Sequence, residues 1–259
     1  MKKDGSTPAF IAVQQGQLGA LRVLKELGAN LDTPNDNGST PALIAAQTGQ
    51  VDALRVLKEL GANLDTPNKK GATSAFIAVY KGDVKVLRVL KELGANLDAP
   101  KEDGATPAFY AAQIGQVEAL HTLKALGANL DAPLKDGSTP TFIAVQEGQT
   151  EIVRLFIQWR VNLNVNYSSD KARLIEFSKN KSEEVQQRMQ KFVDLHQNEA
   201  QISVSPLEIA QIMGHEEIAS LLSVALQKMP GLPIKKQGFF PPGVLPDPTP
   251  LSAMSAATP

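Results

Sequence analysis

ALRVLKELGANLDTPN occurs twice in the chain, letter for letter, at Ala20–Asn35 and at Ala53–Asn68. A near copy runs from Val86 to Pro100, and a looser one from Ala119 to Pro133. Repetition at a fixed period marks an array of one supersecondary unit, in which each copy packs on its neighbours. The beat extends outward on both sides. Gly5, Gly38, Gly71, Gly104 and Gly137 lie 33 residues apart, as do Thr7, Thr40, Thr73, Thr106 and Thr139. Pro8, Pro41, Pro107 and Pro140 follow the threonines, with Ser74 breaking the series. Five units therefore follow one another from the start of the chain to about Asn166.

Each unit reads as two short helices. Thr is a good N-cap and Pro suits the first helical position, so PAFIAVQQ (Pro8–Gln15) is a first helix and Gly16 ends it. A second begins near Leu18, with Leu18, Leu21, Leu24 and Leu27 on one stripe and Arg22, Lys25 and Glu26 off it. Gly28 ends this helix, and ANLDTPNDNG carries turn residues. One such pair is too small to bury its own apolar face.

The totals agree with a helical array. The chain has 259 residues, 42% of them hydrophobic, 20% charged and 5% aromatic, with a formal net charge of -1. That balance argues against nucleic acid, whose binders show a basic face. No cysteine is present, which excludes disulfides, cysteine-ligated zinc and a thiol nucleophile. MKKDGSTPAFIAV is too short and too interrupted for a secretory signal, and no apolar run reaches the roughly 18 residues of a membrane span. The expectation is a soluble, cytoplasmic monomer.

G-S-T-P-A-F-I-A-V-Q-Q-G-Q, followed by an apolar helix and G-A-N-L-D, resembles the ankyrin repeat in period, caps and layout. The resemblance covers Gly5 to Asn166 and returns at Ser205 to about Ala225. It implies an all-α fold: a solenoid of helix-turn-helix units with short β-turn or hairpin loops. There are departures. The family His after Thr-Pro-Leu is replaced by Phe10, Leu43, Phe76, Phe109 and Phe142. The His after Gly is replaced by Gln17, Gln50, Asp83, Gln116 and Gln149.

Unit five ends in Trp159-Arg160 where earlier units have Leu-Gly, so the turn there is expected to differ. Pro206 lies 66 residues after Pro140, two periods on, and His215 restores the family Gly-His. The chain divides into units one to five (1–166), a helical insert before the last repeat (167–203), a terminal repeat (204–227) and a Pro-rich tail (228–259). The insert reads as helices over Asp170–Ser178 and from Ser182, with Val185, Met189, Phe192 and His196 on one face. It is either a diverged repeat or a hairpin pushed out through a loop, and the absence of Gly and of Thr-Pro favours the hairpin. Its apolar face is expected to pack back on units five and six. The tail carries PGLPIK (Pro230–Lys235), a P-x-x-P-x-K form that also arises by chance.

No catalytic constellation appears, and no cofactor or metal is implied. His121 takes the place of Arg22 and Arg55 on a solvent side, and His215 is the family's structural His. Function should lie where near-identical copies disagree. The turn tips differ: Asp36-Asn37, Lys69-Lys70, Glu102-Asp103 and Lys135-Asp136. The first helices end in Gln14-Gln15, Gln47-Thr48, Tyr80-Lys81, Gln113-Ile114 and Gln146-Glu147. The resemblance places these on the concave face, where ankyrin arrays bind partners. The candidate partner-binding residues are Asp36, Asn37, Lys69, Lys70, Tyr80, Lys81, Glu102, Asp103, Tyr110, Lys135 and Asp136, with Tyr80 and Tyr110 as aromatic anchors.

The expected function is non-catalytic binding of a protein partner. The near-identical units and the Phe-Ile-Ala first helix resemble ankyrin proteins of bacteria that live inside host cells, which implies an effector acting on a host protein in the host cytosol. The alternative is an effector enzyme or modifier in which the array recruits the target and the insert or tail carries activity, the insert holding Asp170, Glu176, Glu183, Glu184 and His196. A third reading is a piece of a longer protein, because Met1 leads into unit one with no polar cap, leaving Phe10 and its neighbours poorly covered.

Overall fold

The computed structural model describes residues 5–163 and 165–228. The sequence expectations for the Pro-rich tail beyond Lys228, PGLPIK included, lie outside the described residues.

Units one to five supply the helix pairs α1 (Pro8–Gln14) and α2 (Leu18–Glu26), α3 (Pro41–Gln47) and α4 (Val51–Glu59), α5 (Ser74–Lys81) and α6 (Val84–Glu92), α7 (Pro107–Ile114) and α8 (Val117–Ala125), and α9 (Pro140–Gln146) and α10 (Thr150–Trp159). The insert forms β1 (Tyr167–Ser169), α11 (Lys171–Ser178), α12 (Glu183–Leu195) and β2 (Ile202–Val204). The terminal unit is α13 (Pro206–Met213) and α14 (Glu216–Gln227).

The first helices start where the sequence says they should. The hydroxyls of Thr7, Thr40, Thr106 and Thr139 accept from the N–H groups of Phe10, Leu43, Phe109 and Phe142. Each bond satisfies one of the N–H groups that a helix start leaves unpaired. Ser205 and Glu208 form a reciprocal capping box on α13. Unit three lacks the Pro, and there the device fails: Thr73 makes no capping bond. The buried hydroxyls of Thr73 and Ser74 find no partner.

First helices stack as one layer, in the order α1, α3, α5, α7, α9, α13. Second helices stack as another, α2 on α4 on α6 on α8, and α10 on α14. One continuous apolar core runs between the layers, from Phe10 and Leu21 through Leu54, Leu87 and Leu120 to Phe156 and Leu222. This core is the burial that no single unit achieves alone. Polar ladders fix the pitch. The Asp32 carboxylate accepts from the Asn63 N–H at 2.8 Å, Asp65 from Asn96 at 3.0 Å, Asp98 from Asn129 at 2.9 Å and Asp131 from Asn162 at 3.1 Å. Arg22 makes a bidentate pair with Glu59, and Arg55 pairs with Glu92. Hydrogen bonding to Arg22, with its charge, holds the Glu59 carboxyl below its ordinary pKa, and Glu59 raises Arg22 in return. Both groups are exposed, so they set register more than stability.

Gln149, which replaces the family His, keeps its bond. His215 Nε2 donates to the Gln146 carbonyl at 3.2 Å, and Gln149 Nε2 donates to the Gln113 carbonyl, one unit earlier, at 3.1 Å. A side-chain amide of the right length therefore serves the same inter-unit link.

At the end of unit five the chain takes the left-handed turn that Gly normally provides, with Arg160 at φ 56°; among the described residues it is the one non-glycine with positive φ. Trp159 meets His121 of α8 edge-on, with ring centroids 5.5 Å apart, and lies under the Lys124 ammonium at 5.4 Å. His121 is thus exposed, as the sequence implies, but also bears on Trp159.

The insert is threaded before unit six and seated after it. β1 pairs antiparallel with β2, Tyr167 opposite Val204, and closes the stem of the excursion. Beyond the stem α11 packs on α12, and α12 packs on α13, while α13 packs directly on α9. The glycines show which seat α12 fills. A Cβ on Gly49, Gly82 or Gly148 would press on Asp83, Gln116 or His215 of the following unit; at Gly214 it would press on Arg188 of α12. So α12 lies where a seventh unit would begin, with Val185, Met189, Phe192 and Val193 buried. Asp170 and Ser182 cap the two insert helices.

Unit one differs from the expectation of a poorly covered Phe10. Phe10 and Ala9 are buried, because α3 and α2 pack on α1. The residues left open are Val23, 53% exposed, and Leu27, 78% exposed, on the second helix.

Candidate partner-binding face

The first helices share three aligned positions on one face, related by i, i+3 and i+4; the first is buried or half-buried, and the other two are half-buried or exposed. They form a grid across five units. One row reads Ile11, Ile44, Ile77, Tyr110, Ile143; the next Gln14, Gln47, Tyr80, Gln113, Gln146; the third Gln15, Thr48, Lys81, Ile114, Glu147. The first row departs from isoleucine once, at Tyr110, and the second from glutamine once, at Tyr80, in adjacent units; the third row differs in every unit and supplies Lys81 and Ile114 beside them.

Tyr80 is 59% exposed and Ile114 37% exposed, two of the largest exposed apolar groups of the array. The Lys81 ammonium lies 5.9 Å from the Tyr80 ring centroid, which leaves the ring upright and the charge beside it. Tyr110 is half-buried, its ring 5.8 Å from that of Phe76. Lys101 sits 5.8 Å over the other side of Phe76 and 3.9 Å from Asp103. An exposed aromatic with an ammonium beside it stands on α5, and an exposed branched aliphatic on α7.

The turn tips form the rim. The Lys69 N–H donates to the Asn37 carbonyl at 3.3 Å, and the Lys135 N–H donates to the Asp103 carbonyl at 3.1 Å, so neighbouring tips are tied by backbone. Asp36 sits against Gly5 of the preceding unit. Within the tips two chemistries alternate. Asn35 and Asn68 accept two N–H groups each in units two and three. In units four and five Asp103 accepts from Ala105, and Asp136 from Ser138, at 2.9 Å each. Asp103 and Asp136 therefore already serve their own turns. Asp36, Asn37, Lys69, Lys70, Glu102, Lys135 and Asp136 are all exposed, but they lie at the opposite ends of the first helices from Tyr80 and Lys81. The structure sets Lys81 beside Tyr80 on α5, places Tyr110 on the neighbouring α7 against Phe76, and spreads the tip residues along the edge. Ile114 is the member the candidate set lacked. Its signal was present in the sequence as the one aliphatic residue in its aligned column.

The polar residues of the insert are engaged in its own folding. Asp170 caps α11, Glu176 pairs with Lys179, and Glu184 pairs with Arg188. Glu183 accepts from Gln187, and His196 Nδ1 meets the Phe192 carbonyl at 2.8 Å. Among the described residues no group of three His, Cys, Asp or Glu could hold a metal ion, and no helix is long and apolar enough to cross a membrane.

A repeat pattern described as "Ankyrin repeats (3 copies)" matches residues 1–68, 60–133 and 75–168. The chain belongs to the ankyrin-repeat family. The matches end at residue 168, where the insert begins, and do not reach the terminal unit, whose place in the array rests on α13 stacking on α9. Among solved structures the chain is similar to the ankyrin repeat domain of Bcl-3, described as a unique member of the IkappaB protein family. The identity is 25%, the match covers 86% of this chain and 87% of that one, and the TM-score is 0.67. No curated protein matches the chain by sequence. Ankyrin repeats are interaction modules, and this array is one: a surface for holding a protein.

Proposed function

We propose that this ankyrin array binds its protein partner on the concave face, at the patch of Tyr80, Lys81, Tyr110 and Ile114. The observation that carries this reading is that the two repetitive rows of the grid each depart once, to Tyr80 and to Tyr110, in adjacent units, with Lys81 and Ile114 following in the variable row of the same two units. A stiff, preorganised surface loses little entropy on binding, and an exposed aromatic beside an aliphatic is a strong anchor.

The test is capture of partners from cell extract by the full chain, read by mass spectrometry, with wild type, Tyr80→Ala/Lys81→Glu and Arg88→Glu compared. Arg88 is exposed on the outer helix layer and serves as the control. The expected result is loss of a shared set of proteins with the double variant and retention with the control. Equal capture by all three would remove the concave-face assignment.

The finer reading, an effector that acts on a host protein, is supported by the near-identity of the units and by the Phe-Ile-Ala form of the first helix. A translocation reporter fused to the chain tests it. Absence of signal in the host cytosol would leave an interaction module of the producing cell.

A further inference from the structure

Charge at the concave patch selects the partner's chemistry. Unit three brings Lys69 and Lys70 to one end of α5, and Lys81 to the other, with Tyr80 beside it. Among the described residues no carboxylate pairs with Lys69, Lys70 or Lys81. The neighbouring tips carry the opposite sign, Asp36 in unit two and Glu102 and Asp103 in unit four. A segment crossing the tips would meet negative, positive and negative groups in turn. A segment running along α5 meets cations at both ends, and acidic groups only from the tips that flank Lys69 and Lys70. Surface charges more than about 8 Å apart are largely screened at physiological salt, so each end of α5 acts as a separate site.

We propose that the partner presents an acidic segment that lies along α5, with an apolar anchor between Tyr80 and Ile114, one carboxylate at Lys81 and others at Lys69 and Lys70. This rests on the concave-face reading and specifies what that face takes. Spacing follows from the fold. The eight residues of α5 span about 12 Å at 1.5 Å each. An extended segment rises about 3.3 Å per residue, so about four residues cover α5 alone, and the acidic groups stand further apart than that because Lys69 and Lys70 lie in the tip ahead of Ser74. Tyr80 contributes apolar area and a hydroxyl at little rotamer cost, and the lysines speed encounter through their charge.

The experiment is selection of a random 16-residue peptide library on the full-length protein, followed by anisotropy titration of the enriched peptides. The expected result is enrichment of peptides with two or more Asp or Glu around an aromatic or aliphatic residue. Lys69→Glu/Lys70→Glu and Lys81→Glu should each weaken their binding about tenfold, and raising the salt should weaken wild-type binding. Circular dichroism melts of the variants establish that the fold is intact. Enriched peptides without excess acidic residues, binding unchanged by both lysine variants, or no enrichment at all would overturn the acidic-partner proposal. Tyr80→Ala/Ile114→Ala separates the two readings. If acidic peptides bind that variant as they bind wild type, the concave patch itself is wrong. If non-acidic peptides are selected and lose affinity with it, the patch stands and only its charge preference falls.

Discussion

Val23 and Val89 occupy the same position in two copies of one helix, and their surroundings differ by a whole neighbour. Val23 is 53% exposed at the open end of the array, whereas Val89 is 7% exposed inside it. The far end is different again: there α12 covers the terminal unit, and Ile209, Ile212 and Met189 are buried. The interior and the two ends share a sequence plan but not an environment. Stability in such an array resides in the interfaces between units as much as in the units. The open end lacks one interface, and the far end has borrowed one from a segment that precedes it in the chain.

The sharpest way to break this comparison is at the borrowed interface. Phe192 is fully buried in α12, and Phe192→Ala should cost about 3–5 kcal/mol locally. Native-state hydrogen exchange would then show loss of protection in α13 and α14 while α3 to α6 keep theirs. Unchanged protection in α13 would mean that the terminal unit stands without its cover. The next largest effect compares the two valines directly. Val89→Ala removes two buried methyl groups and should destabilise by about 2 kcal/mol. Val23→Ala should fall within about 0.5 kcal/mol of wild type, as exposed substitutions do. Urea titration of both variants reads the difference. Equal losses would show that the open face is covered in solution.

Arg160 gives a smaller effect of opposite sign. Left-handed backbone costs an L-residue about 1–2 kcal/mol, while Gly loses about 0.5–1 kcal/mol through the freedom of the unfolded chain. Arg160→Gly should therefore stabilise by roughly 0.5–1 kcal/mol, seen as a higher urea midpoint. A lower midpoint would mean that the Arg160 side chain holds the junction with the insert.

Most of the fold was legible because it repeats. Gly28, Gly61, Gly94 and Gly127 recur with identical flanks, and all four adopt positive φ, so one local reading serves four times. The helix starts at Thr7, Thr40, Thr106 and Thr139 were equally plain. The position of α12 was not legible. Chain order places it between units five and six, and only burial of Met189 and Phe192 against α13 moves it past the end. The Gln149 link was hidden for a different reason: Gln and His share no motif, only reach and a donor. On the first helices Tyr80, Lys81 and Tyr110 stood out as residue types, while Ile114 stood out only as the one aliphatic residue in a column that varies throughout. The tips Asp103 and Asp136 looked variable and free, but each closes its own turn.

Unit three departs from the pattern at both ends of α5, and the last prediction asks whether the two departures are linked. At the start, Ser74 replaces the Pro of the other units, leaving two buried hydroxyls unpaired. Thr73 is already extended at φ -89° and ψ 174°, the conformation that a following Pro requires, and the first N–H of a helix has no intrahelical partner to lose. Ser74→Pro should thus stabilise by about 0.5 kcal/mol through the unfolded chain, with more if the Thr73 cap forms. At the other end stand Tyr80 and Lys81, the residues proposed to hold the partner. If Ser74→Pro raises the melting temperature and leaves peptide affinity unchanged, the two departures are independent. If it raises stability and weakens binding, then the loose start of α5 lets Tyr80 adjust to its anchor, and the weakest cap in the array belongs to the binding site.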